Sequence, residues 1–441
     1  MFRNRSLLGF SAVVLAACTS EAPALQPDGG RPGPRDSGID RIIEPTDGSN
    51  RFCDLPGSVQ YTPTGMARVG GGVGEERVEF MQLPVGFCAH YFGNVGNTRQ
   101  LRFAPGGELF VASPTTGTTG GGQGGLAAIV ILPDDDGDGV ADAPITFLGG
   151  LQSTQGILFT KDSIYYQDRT LILRRPYAAG DRVAAGPVDQ VANITIYASS
   201  GHWPKPLDQA DDGTIYVGNG GDQGDTCNPA NPFHGGILKL DGTPGGTVVA
   251  KGFRNPIAVR CQRGHNLCFA LELAMDYSAD FGGREKLVPI RQGDDWGFPC
   301  CFTKDRAAPN ISPAPDCSRT TPEDVSFLIG DTPFGVDFEP GRWPAPYAGA
   351  AFVAVHGAYG SWAGARLVVV DVDPSSGLPR PGSTLPNVSN GAMGVFATGW
   401  DDGSHANGRP AAVTFAPDGR LFVGNDNNGD IFWIAPLELE R

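Results

Sequence analysis

Several things are scarce in this chain of 441 residues, and each absence narrows what it can be. Long helical periodicity is missing, which argues against a helical bundle or an α/β fold. Lys and Arg number 33 against 48 Asp and Glu, a formal charge of −15. No basic stripe appears anywhere, so nucleic acid is excluded as a natural partner. After the first 17 residues no apolar run approaches the roughly 20 residues of a membrane helix. The nine cysteines form no C-x-x-C pair, the spacing most often used for structural zinc. What is plentiful is Gly, at 64, and Pro, at 37, spread without a collagen-like period. That punctuation predicts many short strands joined by tight turns.

The N-terminus has the parts of an export signal: Arg3 and Arg5, then an apolar stretch Leu7 to Leu15, then small residues. Leu15-Ala16-Ala17-Cys18 resembles a bacterial lipoprotein box, which implies lipidation of Cys18 and cleavage after Ala17. The segment "EAPALQPDGGRPGPRDSGIDRIIEPTDGSN", rich in Pro, Gly, Asp and Ser, cannot build a core and reads as a tether. The expected organisation is therefore a signal peptide over 1–17, a lipidated cysteine and flexible linker over 18–50, and one folded domain over 51–441. It places the protein in the bacterial cell envelope as a monomer, touching the membrane only through its lipid. With Cys18 set aside, eight cysteines remain, an even count that favours disulfides in an exported chain. Cys261 and Cys268 flank the turn-like "QRGHNL" and are expected to cross-link that hairpin. The other pairings cannot be read from the sequence.

Six stretches share one layout, a strand, a tight turn and a second strand that ends in small or polar residues. They are "RQLRFAPGGELFVAS" from Arg99, "QGILFTKDSIYYQD" from Gln155, "HWPKPLDQADDGTIYVGN" from His202, "RNPIAVRCQRGHNLCFALE" from Arg254, "FGVDFEPGRWPAPYAGAAFVAV" from Phe334 and "RPAAVTFAPDGRLFVGND" from Arg409. "PGG", "DDG" and "PDG" supply residues that tolerate positive φ. Repeated units without linkers predict an all-β, six-bladed β-propeller with loop insertions, the longest from about Phe281 to Thr332. "ERVEFMQL" is expected to close the ring by joining the last blade. In such a ring the first strand of each blade lines the channel. The starts of these units, Arg99/Gln100, Gln155, His202, Arg254/Asn255, Phe334 and Arg409, would then converge as a polar ring around a concave opening.

"GFRNPIAV", "LELAMD" from Leu271, "REKLVPIRQGDDWGFP" from Arg284, "SGHWPKPLDQADDGTIYVGNG", "VAVHGAYGSW" and "GRPAAVTFAPDGRLFVGND" together resemble, in order, segments of the PQQ-dependent sugar dehydrogenases, in their soluble aldose and sorbosone branch. The resemblance runs from about Val78 to the C-terminus. It implies a six-bladed propeller that oxidises a sugar hydroxyl or hemiacetal, with pyrroloquinoline quinone (PQQ) and calcium as cofactors. His202 would be the general base, its near-neutral pKa suited to proton transfer. Asp222 would orient it, while Arg254 and Asn255 would meet the quinone carbonyl in an oxyanion-type role. Arg409 would pair with a cofactor carboxylate, and Lys205 stands where relatives carry an arginine. Backbone carbonyls after Glu272, near Ala274 and Met275, would hold calcium. His356 and Arg366 are lesser candidates for the channel mouth.

Separately, "PDDDGDGVAD" places Asp134, Asp136, Asp138 and Asp142 at EF-hand-like spacing, with Ile145 where the bidentate Glu belongs. A structural calcium site and a plain acidic turn both suit it. Three functions stay open at this level: a quinoprotein acting on a sugar or alcohol, with an unknown electron acceptor; a non-catalytic propeller binding glycan, a small ligand or protein; and a calcium-dependent lactonase-like hydrolase. A lactonase needs several carboxylates and an amide converging on one metal.

Overall fold

Ala104-Pro105-Gly106-Gly107, Ala210-Asp211-Asp212-Gly213 and Ala416-Pro417-Asp418-Gly419 fold into the same turn three times. The glycine N–H donates to the alanine carbonyl (2.9, 3.0 and 3.0 Å), and the glycine takes φ of 94°, 89° and 97°. A side chain would be strained there, so the turn residues read from the sequence serve as that reading requires. In the computed structural model these turns join the first two strands of the first, third and last repeats. The compact unit spans Gly38–Arg441. The structure describes residues 41–441 except 47, 75–76, 116–123, 195–201, 222–226, 228–234, 276–277, 279–281, 310, 359, 381–387 and 390–392.

Four sheets have four strands, in sequence order from the inside outward. The first runs Gln100–Phe103, Leu109–Ser113, Ala128–Leu132 and Ile145–Gly149. The second is Ile157–Phe159, Ser163–Asp168, Leu171–Pro176 and Asp189–Asn193, and the third Leu207–Gln209, Ile215–Asn219, Gly236–Lys239 and Thr247–Lys251. The fourth is Asn255–Gln262, Leu267–Leu273, Glu285–Pro289 and Val325–Phe327. A fifth sheet, of five strands, starts with Pro333–Phe338 and Ala351–Val355. The inner strands adjoin one another in a cycle that the strand Pro410–Phe415 completes, next to both Pro333–Phe338 and Gln100–Phe103.

The chain is thus all-β, a propeller-like ring of small sheets. Separate blade-sized sheets number five where the sequence leads one to expect six. The last repeat does not stand alone, because Pro410–Phe415, Leu421–Asn425 and Asp430–Pro436 continue into Phe87–Asn94 and then an N-terminal hairpin, making a sheet of seven. The strand that joins the last repeat is therefore Phe87–Asn94, and "ERVEFMQL" is not it. Pro84 and Gly86 separate the two segments, and Gln82 makes only an isolated bridge to Thr398. Arg41–Ile43, expected to be linker, pairs in parallel with Ala67–Val69 on the edge of the same sheet.

Apolar side chains fill the gaps between successive sheets. Phe110, Ile131, Ile157 and Tyr166 pack between the first and second, and Ile257, Phe269, Phe334 and Val353 between the fourth and fifth. Each such side chain contributes about 1.5–3 kcal/mol of burial. Four disulfides add covalent ties: Cys53–Cys88, Cys227–Cys300, Cys301–Cys317 and the expected Cys261–Cys268, whose residues face each other across the hairpin. Part of the supposed insertion after Phe281 belongs to the fourth sheet, as its strands Glu285–Pro289 and Val325–Phe327. Among the described residues no helix is long and apolar enough to cross a membrane.

Candidate functional site

His202 is buried, and its Nδ1 meets the Gly221 carbonyl. A carbonyl only accepts, so Nδ1 carries the hydrogen and Nε2 the lone pair of the neutral ring. Gly221 is itself pinned, its N–H donating to the Arg254 carbonyl at 2.7 Å. Gly220 has to be glycine, since a Cβ there would come within 2.6 Å of the His202 Cβ. The third and fourth units thus bring His202 and Arg254 to one place. Asp222 lies outside the described residues, as does Cys18.

A second cluster draws on the first, fifth and last units. Arg409 holds Asp426 in a two-pronged contact, Nε to Oδ1 at 2.9 Å and Nη2 to Oδ2 at 2.8 Å. Arg99 reaches the same carboxylate at 3.3 Å and lies 4.8 Å over the Phe334 ring and 6.0 Å from the Trp203 ring. His356 stacks on Phe334 at 4.0 Å, with Nε2 3.7 Å from Asp426. Burial alone would raise the Asp426 carboxyl, but Arg409 and Arg99 outweigh it and hold the group well below the usual carboxylate range. His356 goes the other way: burial and then Arg409 push it far down, leaving a neutral imidazole. Two arginines thus meet on one buried carboxylate, a grouping of guanidinium donors of the kind that recognises carboxylates.

Between these clusters lie buried polar groups with unmet capacity. Among the described residues, Asn255 Oδ1, Asn219 Oδ1, Gln155 Oε1 and Trp203 Nε1 have no hydrogen-bond partner. Orphaned buried polar atoms are costly and mark places built for a ligand or ordered water. Lys205 is fully buried, its Nζ on the Trp203 and Pro204 carbonyls at 3.3 and 3.4 Å. Burial pushes its pKa down to about 7. Arg366 is committed to Asp331 at 3.0 Å.

The expected calcium ligands are otherwise engaged. Glu272 pairs with Lys286 at 3.1 Å and accepts the Arg254 N–H at 2.9 Å. Arg254 Nη1 donates to the Ala274 carbonyl at 2.8 Å, and Ser278 donates both its N–H (2.8 Å) and its hydroxyl (2.6 Å) to the Met275 carbonyl. In the acidic turn, Asp134, Asp136 and Asp138 bring one oxygen each within 4.8 Å of one another, the one such metal-sized cluster among the described residues. Asp142 instead accepts the Asp135 N–H at 2.8 Å.

The sequence located His202, Lys205, Arg254, Asn255 and Arg409 at unit starts, and the ring of inner strands explains why these distant residues share one end of the channel. It missed Asp426, Trp203 and Asn219. Asp426 follows its strand in "GNDNNG", where an aspartate looks like turn chemistry. A cavity of about 610 Å³ lies at the other end of the inner strands, against Arg102, Asp208, Arg260 and Asp337. These four form a chain of ion pairs, Arg102–Asp208–Arg260–Asp337, with Arg260 on Asp337 at 2.6 Å.

A domain of unknown function (DUF7133) matches residues 75–247. No curated protein matches the sequence. In structure, the chain is similar to the calcium structure of a Trichoderma reesei carbohydrate-active enzyme of family AA12 (17% identity, 81% of this chain and 97% of that one, TM-score 0.66). It is also similar to the holo form of the pyranose dehydrogenase PQQ domain from Coprinopsis cinerea (15%, 82% and 97%, TM-score 0.62). A third is the PQQ-bound aldose sugar dehydrogenase from Streptomyces coelicolor (16%, 80% and 99%, TM-score 0.52). What the chain shares with these three proteins is their fold.

Proposed function

We propose that this chain is a six-bladed quinoprotein oxidoreductase that oxidises a hydroxyl or hemiacetal carbon of a sugar or related alcohol. The sixth blade in this reading is the quartet Pro410–Phe415, Leu421–Asn425, Asp430–Pro436 and Phe87–Asn94. The observation that carries the proposal is a buried histidine oriented by the Gly221 carbonyl through Nδ1, in the same ring of inner strands as the Arg99–Asp426–Arg409 cluster and buried polar atoms without a described partner. Solved structures of the same fold that bind PQQ support it.

PQQ, when bound, supplies the hydride acceptor. The chain's own residues do the rest. His202 Nε2 takes the hydroxyl proton as hydride leaves carbon, and the Gly221 carbonyl holds the tautomer that makes this direction available. Arg254 and Asn255 offer a guanidinium and an amide to a quinone oxygen that gains negative charge. Arg99 and Arg409, sharing Asp426, offer positive charge to carboxylates. Lys205, close to half-protonated at neutral pH, can donate or accept a hydrogen bond as required. No step is assigned to calcium. Export and lipid attachment at Cys18 belong to the same proposal, and four disulfides suit an oxidising compartment.

The test is a spectral titration of the purified chain with PQQ. Saturable binding that weakens at least tenfold in Arg409→Ala is expected; absence of binding would remove the quinoprotein reading.

A further inference from the structure

We infer that the cavity at the far mouth of the ring is a second binding site, built for a neutral sugar of one or two rings. It shares no residue with the His202 and Arg409 clusters. The fourth inner strand shows the separation, since Asn255 starts it at the His202 end and Gln262 ends it against the cavity. Eight residues of extended chain put roughly 23 Å between those ends. Arg102 closes the floor of the cavity. Its Nε donates to the Ile157 carbonyl at 3.2 Å, and its Nη2 to the Leu207 and Val259 carbonyls, both at 3.4 Å.

The walls come from one register of the repeat. Four inner strands end in phenylalanine immediately before their turn, Phe103, Phe159, Phe338 and Phe415, and all four line the cavity. Phe103, Phe159 and Phe338 stay partly exposed there, an apolar surface of the kind on which the C–H faces of a sugar ring rest. The third and fourth strands end in Gln209 and Gln262 instead, and these two differ. Gln209 spends its amide on its own turn, Nε2 donating to the Gly213 carbonyl at 3.0 Å. Gln262 is buried against the cavity, and its Oε1 has no partner among the described residues. A buried amide wants both a donor and an acceptor, and a hydroxyl group supplies either. The ion pairs beneath do not call for an anion, because Arg102 and Arg260 are set against Asp208 and Asp337. Glu339, in the wall, already accepts four backbone N–H groups. At the rim, Arg263 donates to the Gln209 carbonyl at 3.0 Å and lies 3.8 Å from Asp211. A volume of about 610 Å³ with apolar walls and few free polar groups is the usual build of a small-molecule site.

The inference stands apart from the proposed function, and its test uses the full chain without PQQ. Titration calorimetry with glucose, maltose and cellobiose, beside gluconate as an anionic control, should show saturable binding of at least one of the three sugars. Gln262→Leu removes the amide and Phe338→Leu removes a ring, each at nearly constant volume. Either variant should weaken that binding at least about fivefold, while His202→Ala at the other end leaves it within about twofold. Three results would each overturn the inference: no sugar bound, binding that both cavity variants leave unchanged, or gluconate held about tenfold more tightly than glucose. Binding that only His202→Ala abolishes would overturn it too, by placing the sugar at the other end. If the chain failed to bind PQQ, the proposed function would fall and this result would stand.

Discussion

Arg409 and Asp426 lock together through two parallel hydrogen bonds of 2.9 and 2.8 Å, tying the start of the final repeat's first strand to the end of its second. Asp426 also receives Arg99 and approaches His356, so one carboxylate gathers residues from three units. A buried charge pair of this kind contributes little net stability, but removing one partner strands the other.

Asp426→Asn keeps the volume and deletes the carboxylate charge that Arg409 and Arg99 share. Urea unfolding at neutral pH should show a loss of about 3–5 kcal/mol. The carboxyl is held below its unfolded value, so its contribution is full above about pH 4 and is lost as pH falls further. The difference between parent and variant should accordingly narrow in acid. A constant difference across pH would mean the charge is not what matters.

Lys205 gives stability the same direction of pH dependence, in a higher window. Its folded pKa of about 7 lies below the ordinary 10.5, so the unfolded chain binds a proton that the native chain does not throughout that window. Stability from this group therefore rises with pH from about 7 to 10.5 and is lowest, by on the order of 4–5 kcal/mol, below pH 7. Lys205→Met should stabilise the chain at pH 7 and flatten this slope. The check is a set of urea midpoints from pH 6 to 10 for both proteins.

The disulfides differ in the loops they close. Cys261–Cys268 spans 7 residues and Cys227–Cys300 spans 73. By loop entropy, Cys261→Ser with Cys268→Ser should cost roughly 2–3 kcal/mol and Cys227→Ser with Cys300→Ser roughly 4 kcal/mol. Chemical denaturation of the two double variants reads the order directly.

How much of this was legible in the residues varies with range. Turns are local chemistry, and Gly107, Gly213 and Gly419 announce them. The polar starts at His202, Arg254 and Arg409 stood out because an inner strand should begin apolar. The Phe87–Asn94 closure was misplaced by a few residues, since Glu76–Leu83 carries a similar alternation and only pairing partners decide between them. The fate of Glu272 was hidden for the same reason. Its partner Lys286 lies 14 residues on, and only strand register brings the two face to face. Asp426 was missed because a buried counter-ion and a turn aspartate look alike in a sequence.

The most direct test of the whole account is steady-state dye reduction by the PQQ-loaded full chain across a panel of aldoses and related alcohols, beside His202→Ala. The account predicts turnover with at least one sugar, and a loss of at least a hundredfold in kcat in the variant while its PQQ spectrum is retained. PQQ-loaded protein that oxidises none of the panel, or a His202→Ala variant that turns over at the parent rate, would contradict it.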